Sequence, residues 1–474
     1  MKKVMYSGLI LLGTALSTLA GCSTDNGKIT LRIGFWPTSS DKKDVAMYEE
    51  WKEAFEKDNP DYVIEDAPYT YSRDTISSMG NAGRLPTVFQ TWFTEPEWLK
   101  EQGYIREITD ELNELDWASK IDEGMKSNIY FEENYYGIPR DGYGLGLMIN
   151  KRILGENGLL REAGEDENGD PIYSLYDENG EPMYPQTFEE IKEFAEIIAE
   201  YDDCKGMLIL SDNKEGGWQF TNMVWNFGGT IEKQNGDGTW TADLTSEAAI
   251  NALTWIKEMK QEDLLPTGVV QTYSGWKDKL GSQVAMAFVG CDQINLIQTQ
   301  GGEDIDDFAF VPMPSVNDSV PHYSLYGGTP YVFSSRATDE EVEGVLKFME
   351  YIGRSPETSE ISRQGIEKGL QVSKEKAQPI LPTLYPFVNE DYVKMMDEIE
   401  EEYVDVDMEN YNDFFDSIDE NKHVEEPYYA QDLYDILDTA IQTVLTDPAS
   451  ANVTELLQKA ENDFNTKYLS EVNK

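Results

Sequence analysis

Arg140, Asp141 and Tyr143 lie almost side by side in the stretch YYGIPRDGYGLGLMINKR at 135–152. Together they offer a planar cation, a carboxylate acceptor and an aromatic hydroxyl, a set suited to gripping a polar ligand. Pro139 pushes Ile138 into the extended region, and Gly142, Gly144 and Gly146 let the backbone pass close to a neighbour. The apolar run 145–149 then reads as a buried strand, so the stretch is strand, crossing, strand, with the polar trio at the crossing. A strand-turn-strand edge with solvated charges fits the same residues. Other chemistry-bearing types are sparse. His322 and His423 are the only histidines and stand far apart, which argues against a histidine metal centre or proton relay. Asp166, Asn168 and Asp170 have the opening spacing of a calcium loop, but Pro171 stands where that loop needs glycine. No metal, cofactor or catalytic residue is expected.

Aromatic residues make up 12% of the chain, enough that most must be core, so position decides which are candidates for a ligand. Trp51 and Trp255 sit within apolar helix faces and are expected in the core. Trp36, Trp92, Tyr143, Trp218, Trp225, Trp276 and Tyr331 fall at predicted element ends, where ligands are met. Gln90 and Tyr326 accompany them, and Arg73, Asp141 and Asp292 are the polar candidates. Core packing beside Phe227 is the other reading of Trp225.

A length of 474 residues supports two or three domains, and 40% apolar residues mark a globular chain. Acidic residues outnumber basic ones by 90 to 38, a net charge of -52, which repels phosphate backbones and excludes nucleic acid as a partner. Lys2 and Lys3 precede an apolar run over 4–19, the layout of a secretory signal too short to span a membrane. Its end, Leu19-Ala20-Gly21-Cys22, resembles the bacterial lipobox, which implies cleavage before Cys22, a diacylglycerol on that cysteine, and export to the outer face of the cytoplasmic membrane. An ordinary signal peptide with a chance cysteine is the alternative. Cys204 and Cys291 show no framework spacing, and two buried thiols are expected.

In chain order, 29–35 alternates as a strand, 47–59 is a helix stopped by Pro60, and 62–67 returns as a strand, a βαβ unit that opens an α/β sheet. The Pro-led run Leu-Pro-Thr-Val-Phe at 85–89 follows and ends in Gln90, Thr91 and Trp92. Further on come EITDEL at 107–112, YYGIP at 135–139, and PQTFEEI at 185–191, in which Thr187 and Glu190 form a capping box. WNFGGT at 225–230, DLLP at 263–266, VAMAFVG at 284–290, FVPMP at 310–314 and YGGTPYVFS at 326–334 complete the series. A repeat with a spacing of 11, DENGDPIY at 166–173 and DENGEPMY at 177–184, carries two Asn-Gly turns and reads as a small meander within an insertion at 162–184. The acidic insertion at 390–426 reads as solvated helix.

This order of motifs resembles the extracellular solute-binding proteins of family 1, the sugar-binding lipoproteins of ABC importers. Thr87 and the pair Cys291-Asp292 depart from it, since the family usually has Asp and an aromatic there. The resemblance implies an α/β, two-lobe periplasmic-binding-protein-like (type II) fold with hinge crossovers and an enlarged helical C-terminal part. It implies a signal peptide at 1–21, a tether at 22–27, an N-lobe from 28–141 and 290–327, and a C-lobe from 142–289 and 328–474, with crossings near Asp141, Gly290 and Gly328. A monomer that binds a carbohydrate between its lobes and passes it to the transmembrane subunits of an ABC permease is the expected function. A sugar needs an aromatic plate for its C–H face and short polar groups for its hydroxyls, which the candidates above supply. A lipid-anchored glycoside hydrolase and a binder of peptides or polyols are the rivals.

Overall fold

The computed structural model describes residues 27–166, 168–201 and 204–474. The expected signal segment 1–21, the expected lipidation site Cys22 and all of the tether but Gly27 lie outside the described residues. Ile29–Ile33 and Tyr62–Asp66 are parallel strands joined by the helix Lys42–Asp58, which starts on an Asp41 side chain accepting from the Asp44 amide. Val88–Gln90 pairs in parallel on the other side, so the carboxyl ends of three strands point the same way. Antiparallel to Val88–Gln90 runs the end of a long strand, Ser324–Phe333.

Two long strands carry the sheet from one lobe into the other. Ile138–Asn150 pairs with Ser324–Phe333 up to Gly144, and beyond that point with Val284–Gly290 and Phe308–Val311. Its second half is buried throughout, as expected of an apolar run covered on both faces. Gly146 is required there, because a Cβ would stand 2.4 Å from the Phe310 ring. Among the described residues the result is a mixed α/β architecture built on one nine-stranded sheet, from whose path Phe308–Val311 and Lys422–Val424 branch, with three two-stranded sheets beside it.

The cores divide the chain differently from the expected segments. Leu31, Ile64, Val88 and Ile138 pack with Tyr331, Phe348, Phe387 and Ile399, so the first lobe combines the N-terminal part with 326–404. Leu147, Phe188, Trp225 and Phe288 pack with Val311, Leu325, Ile441 and Phe464, and a neighbouring cluster adds Trp276, Phe310 and Tyr411. The second lobe therefore holds 142–325 and the chain from about Val406 onward. The segment after Gly290 is not a crossing. Phe308–Val311 returns as the partner of 147–150, so the chain between stays in the second lobe. The third crossing lies instead between Val404, packed on the first core, and Val406, packed on the second lobe. Lys422–Val424 then runs beside Ser324–Tyr326 at the hinge.

Local expectations follow their physical causes. Thr187 and Glu190 exchange side-chain to backbone hydrogen bonds at the start of Phe188–Tyr201. In the insertion, Arg161–Glu165 and Pro171–Ser174 form a hairpin, and Asp166 and Asp177 each hold two amides of their own turn. Cys204 and Cys291 are buried in separate clusters. Among the described residues no helix is long and apolar enough to cross a membrane.

Candidate functional site

Between the lobes lies a cavity of about 490 Å³, within the ~300–1,000 Å³ typical of small-molecule sites. The first lobe supplies one wall from the carboxyl ends of two strands: Tyr69 and Tyr71 follow Tyr62–Asp66, and Gln90 to Phe93 follow Val88–Gln90. Trp92 is 41% exposed and meets the Tyr71 ring edge-on at 5.1 Å. Behind it the Tyr71 hydroxyl donates to Glu95, a fully buried carboxylate that also accepts from Arg73 Nε at 2.8 Å and Nη2 at 2.9 Å.

Arg140, Tyr143, Gly328 and Thr329 on the two hinge strands form the floor. Arg140 is paired with Asp141 at 3.1 Å, and Asp141 accepts from the Thr329 amide. Tyr143 donates its hydroxyl to Glu425 at 2.6 Å, and Tyr434 donates to the other oxygen of the same carboxyl at 2.6 Å. Burial pushes Glu425 up to about 7 against the favourable effect of those two donors.

The second lobe's wall carries Asn213, Lys214, Glu215 and Trp218. Asn213 and Lys214 are both left-handed, at φ 60 and 72, an unusual pair for residues with side chains. Buried Asp438 holds them there by accepting from the Lys214 amide at 2.6 Å and the Gly217 amide at 2.8 Å. A Cβ at Gly217 would lie 2.4 Å from the Tyr434 backbone, so glycine lets the helix Glu215–Asn226 press against Ala430–Thr446. Trp218 meets Tyr143 edge-on at 6.0 Å, and the Lys214 ammonium stands 5.8 Å from the centre of the Trp92 ring across the cleft.

Of the sequence candidates, Gln90, Trp92, Tyr143 and Trp218 line this cavity. Trp36, Trp225, Trp276, Tyr326 and Tyr331 are buried in the cores instead. Trp36 lies edge-on to Tyr48, Trp225 stacks on His423 at 3.9 Å and donates to Glu426, Tyr326 donates to Asp122, and Tyr331 packs on Phe35. Asp141 and Asp292 stand near the floor without lining it, and Asp292 is exposed. Arg73 faces a smaller outer cavity of about 320 Å³, where Nη1 reaches Asp432 of the second lobe at 2.8 Å. Sequence reasoning missed Tyr69, Tyr71, Lys214, Glu425 and Tyr434. The tyrosines do follow a predicted strand end. Glu425 sits in the stretch that reads as solvated helix, and nothing local marks Lys214.

A family model for bacterial extracellular solute-binding proteins matches residues 50–364. The chain belongs to that family. This solute-binding protein shares its fold with solved structures over nearly their whole length. A maltose-bound T. maritima protein is 14% identical with a TM-score of 0.67, covering 92% of this chain and 99% of the other. The GacH receptor of Streptomyces glaucescens, solved unliganded and with acarbose, is 16% identical with a TM-score of 0.66 over 92% and 97% of the two chains. UgpB of Mycobacterium tuberculosis, in complex with glycerophosphocholine, is 14% identical with a TM-score of 0.62 over 94% and 99%. No curated protein matches the chain. The family is one of exported binding proteins, and the cleft of this member sits where its two lobes meet.

Proposed function

We propose that this protein binds a short oligosaccharide in the cleft between its lobes and delivers it to the permease of an ABC importer, held at the membrane by a lipid on Cys22. The observation that carries the reading is the exposed Trp92 face on one wall, with Trp218 and Tyr143 opposite and hydrogen-bonding groups between them. Aromatic faces take the C–H side of a sugar, while Gln90, Arg140 and Asn213 meet its hydroxyls. Known sugar complexes among the similar structures agree with this choice.

Binding needs no bond to be made or broken. Closure of the lobes wraps the ligand, and a ligand shifts the open and closed populations only by its differential affinity for them. Contacts already span the lobes here, among them Arg73 to Asp432 at 2.8 Å and Gln431 Nε2 to Thr94 Oγ1 at 3.0 Å. A thermal-shift screen against mono- and oligosaccharides, followed by calorimetry, tests the reading, because a ligand of the native state raises apparent stability by mass action. A saccharide that raises the melting temperature and is recovered intact is the expected result. Product release would instead mark an enzyme, and a hit confined to peptides or phosphodiesters would overturn the sugar.

A further inference from the structure

The cleft contains a cation that, among the described residues, has no carboxylate within ion-pair distance. Lys214 lines the cavity, is half-buried, and among the described residues no acid lies within ion-pair distance of its ammonium, although the chain carries 90 acidic residues. Its position is built. The two successive left-handed residues are pinned by Asp438, so the side chain starts from a fixed point and projects across the cleft toward Trp92. The charged groups around it are already engaged. Glu215 accepts from Asn213 Nδ2 at 3.1 Å and from the Tyr273 amide, Glu425 accepts from Tyr143 and Tyr434, and Arg140 is paired with Asp141.

A sugar stacked on Trp92 displaces the ammonium from the ring it now faces. Closure then withdraws water from a lysine with no acceptor of opposite charge, which is costly unless the ligand brings one. We infer that the cleft takes a saccharide bearing a carboxylate, a uronic acid, and that Lys214 reads that carboxylate while Trp92 takes the apolar face of the same or the adjoining ring. The inference rests on the saccharide-binding reading and narrows it. The net charge of -52 opposes an anion at long range, but that field is screened beyond about 8 Å at physiological ionic strength, whereas an ammonium-carboxylate contact acts well inside that distance.

The test is calorimetry of the whole mature protein with short galacturonate, alginate and hyaluronan oligosaccharides, each against its carboxyl-reduced neutral counterpart. At least one uronate is expected to bind about tenfold or more tighter than its neutral counterpart, with affinity falling as salt rises, on the scale of a hydrogen bond to a charged group. Lys214→Met, which keeps the aliphatic stem, is expected to bring that ratio toward one, and Lys214→Arg to restore part of it. Should the methionine variant fail to fold, the acid-to-neutral ratio and the salt dependence of the unaltered protein decide alone. Neutral saccharides that bind as tightly as the uronates overturn the inference and leave the sugar reading standing. A panel in which neither acidic nor neutral saccharides bind overturns both.

Discussion

The first lobe's wall of the cleft consists of residues that leave the ends of adjacent parallel strands, each within a few positions of the element that aims it. The second lobe's wall is assembled over long range. The loop bearing Lys214 is held by Asp438, 224 positions away, and Tyr143 on the hinge is tied to Glu425, 282 positions away. The exposed Trp92 of the first wall can be exchanged without disturbing its support, whereas the second wall is coupled over long range to buried acids and helix packing. Substitutions should separate the two: the first wall through affinity, the second through stability and pH.

The largest effect is expected behind the second wall. Trp225 looks from its sequence setting like a stacking plate, but it is fully buried against His423 and donates to Glu426. Trp225→Ala should therefore cost about 3–5 kcal/mol of folding stability in urea denaturation. If its only effect were on ligand affinity with stability intact, the contrast between wall and framework would fail.

Next in size is the pH dependence that Glu425 imposes. Its folded value of about 7 lies above that of an unfolded glutamate, so the native state holds a proton that the unfolded chain releases. The stability this proton contributes is complete below about pH 4.3 and is lost as pH rises toward 7, at about 1.4 kcal/mol per pH unit. Neighbouring Glu426 and Glu232, raised first by burial and in Glu232 also by Glu426, act in the same direction. Melting curves across this range should show the decline, and Glu425→Gln should make it shallower while leaving the share of Glu426 and Glu232.

On the first wall, Trp92→Ala should weaken saccharide binding by about 1–3 kcal/mol, the scale of an aromatic contact, and leave the urea midpoint nearly unchanged because the ring is exposed. Calorimetry beside denaturation checks both halves of that statement. The smallest effect belongs to the contact that joins the walls. Asp432→Asn removes the partner of Arg73 Nη1 while Glu95 keeps the guanidinium in place, and about 0.2–1 kcal/mol of closed-state preference should go with it. Small-angle scattering of the unliganded variant should show a larger radius of gyration; an unchanged radius would mean that the pair does not hold the lobes.

How much was legible follows the same division. Strand alternation, the capping box at Thr187 and the stop at Pro60 are local physics, and the elements stand where those signals put them. Gln90 and Trp92 line the cleft at a strand end, which is a local feature of the sequence. The lobe boundaries are not a local feature. Nothing near Gly290 in sequence says that Phe308–Val311 will return to the same sheet, a pairing that helps keep 290–325 in the second lobe. Trp36, Trp276 and Tyr331 have the flanking turns of surface residues, yet neighbours distant in sequence cover them.

The amino-acid sequence by itself determined the family, the α/β element order and an acidic, histidine-poor composition. These depend on residue types and short-range periodicity, which a linear chain displays in full. The tertiary structure alone decided which aromatics face the cleft, why Glu425 is buried between two tyrosines rather than solvated, and how Lys214 comes to stand across from Trp92. Each is set by contacts between segments hundreds of positions apart, and no local signal encodes which distant backbone will close over a given side chain.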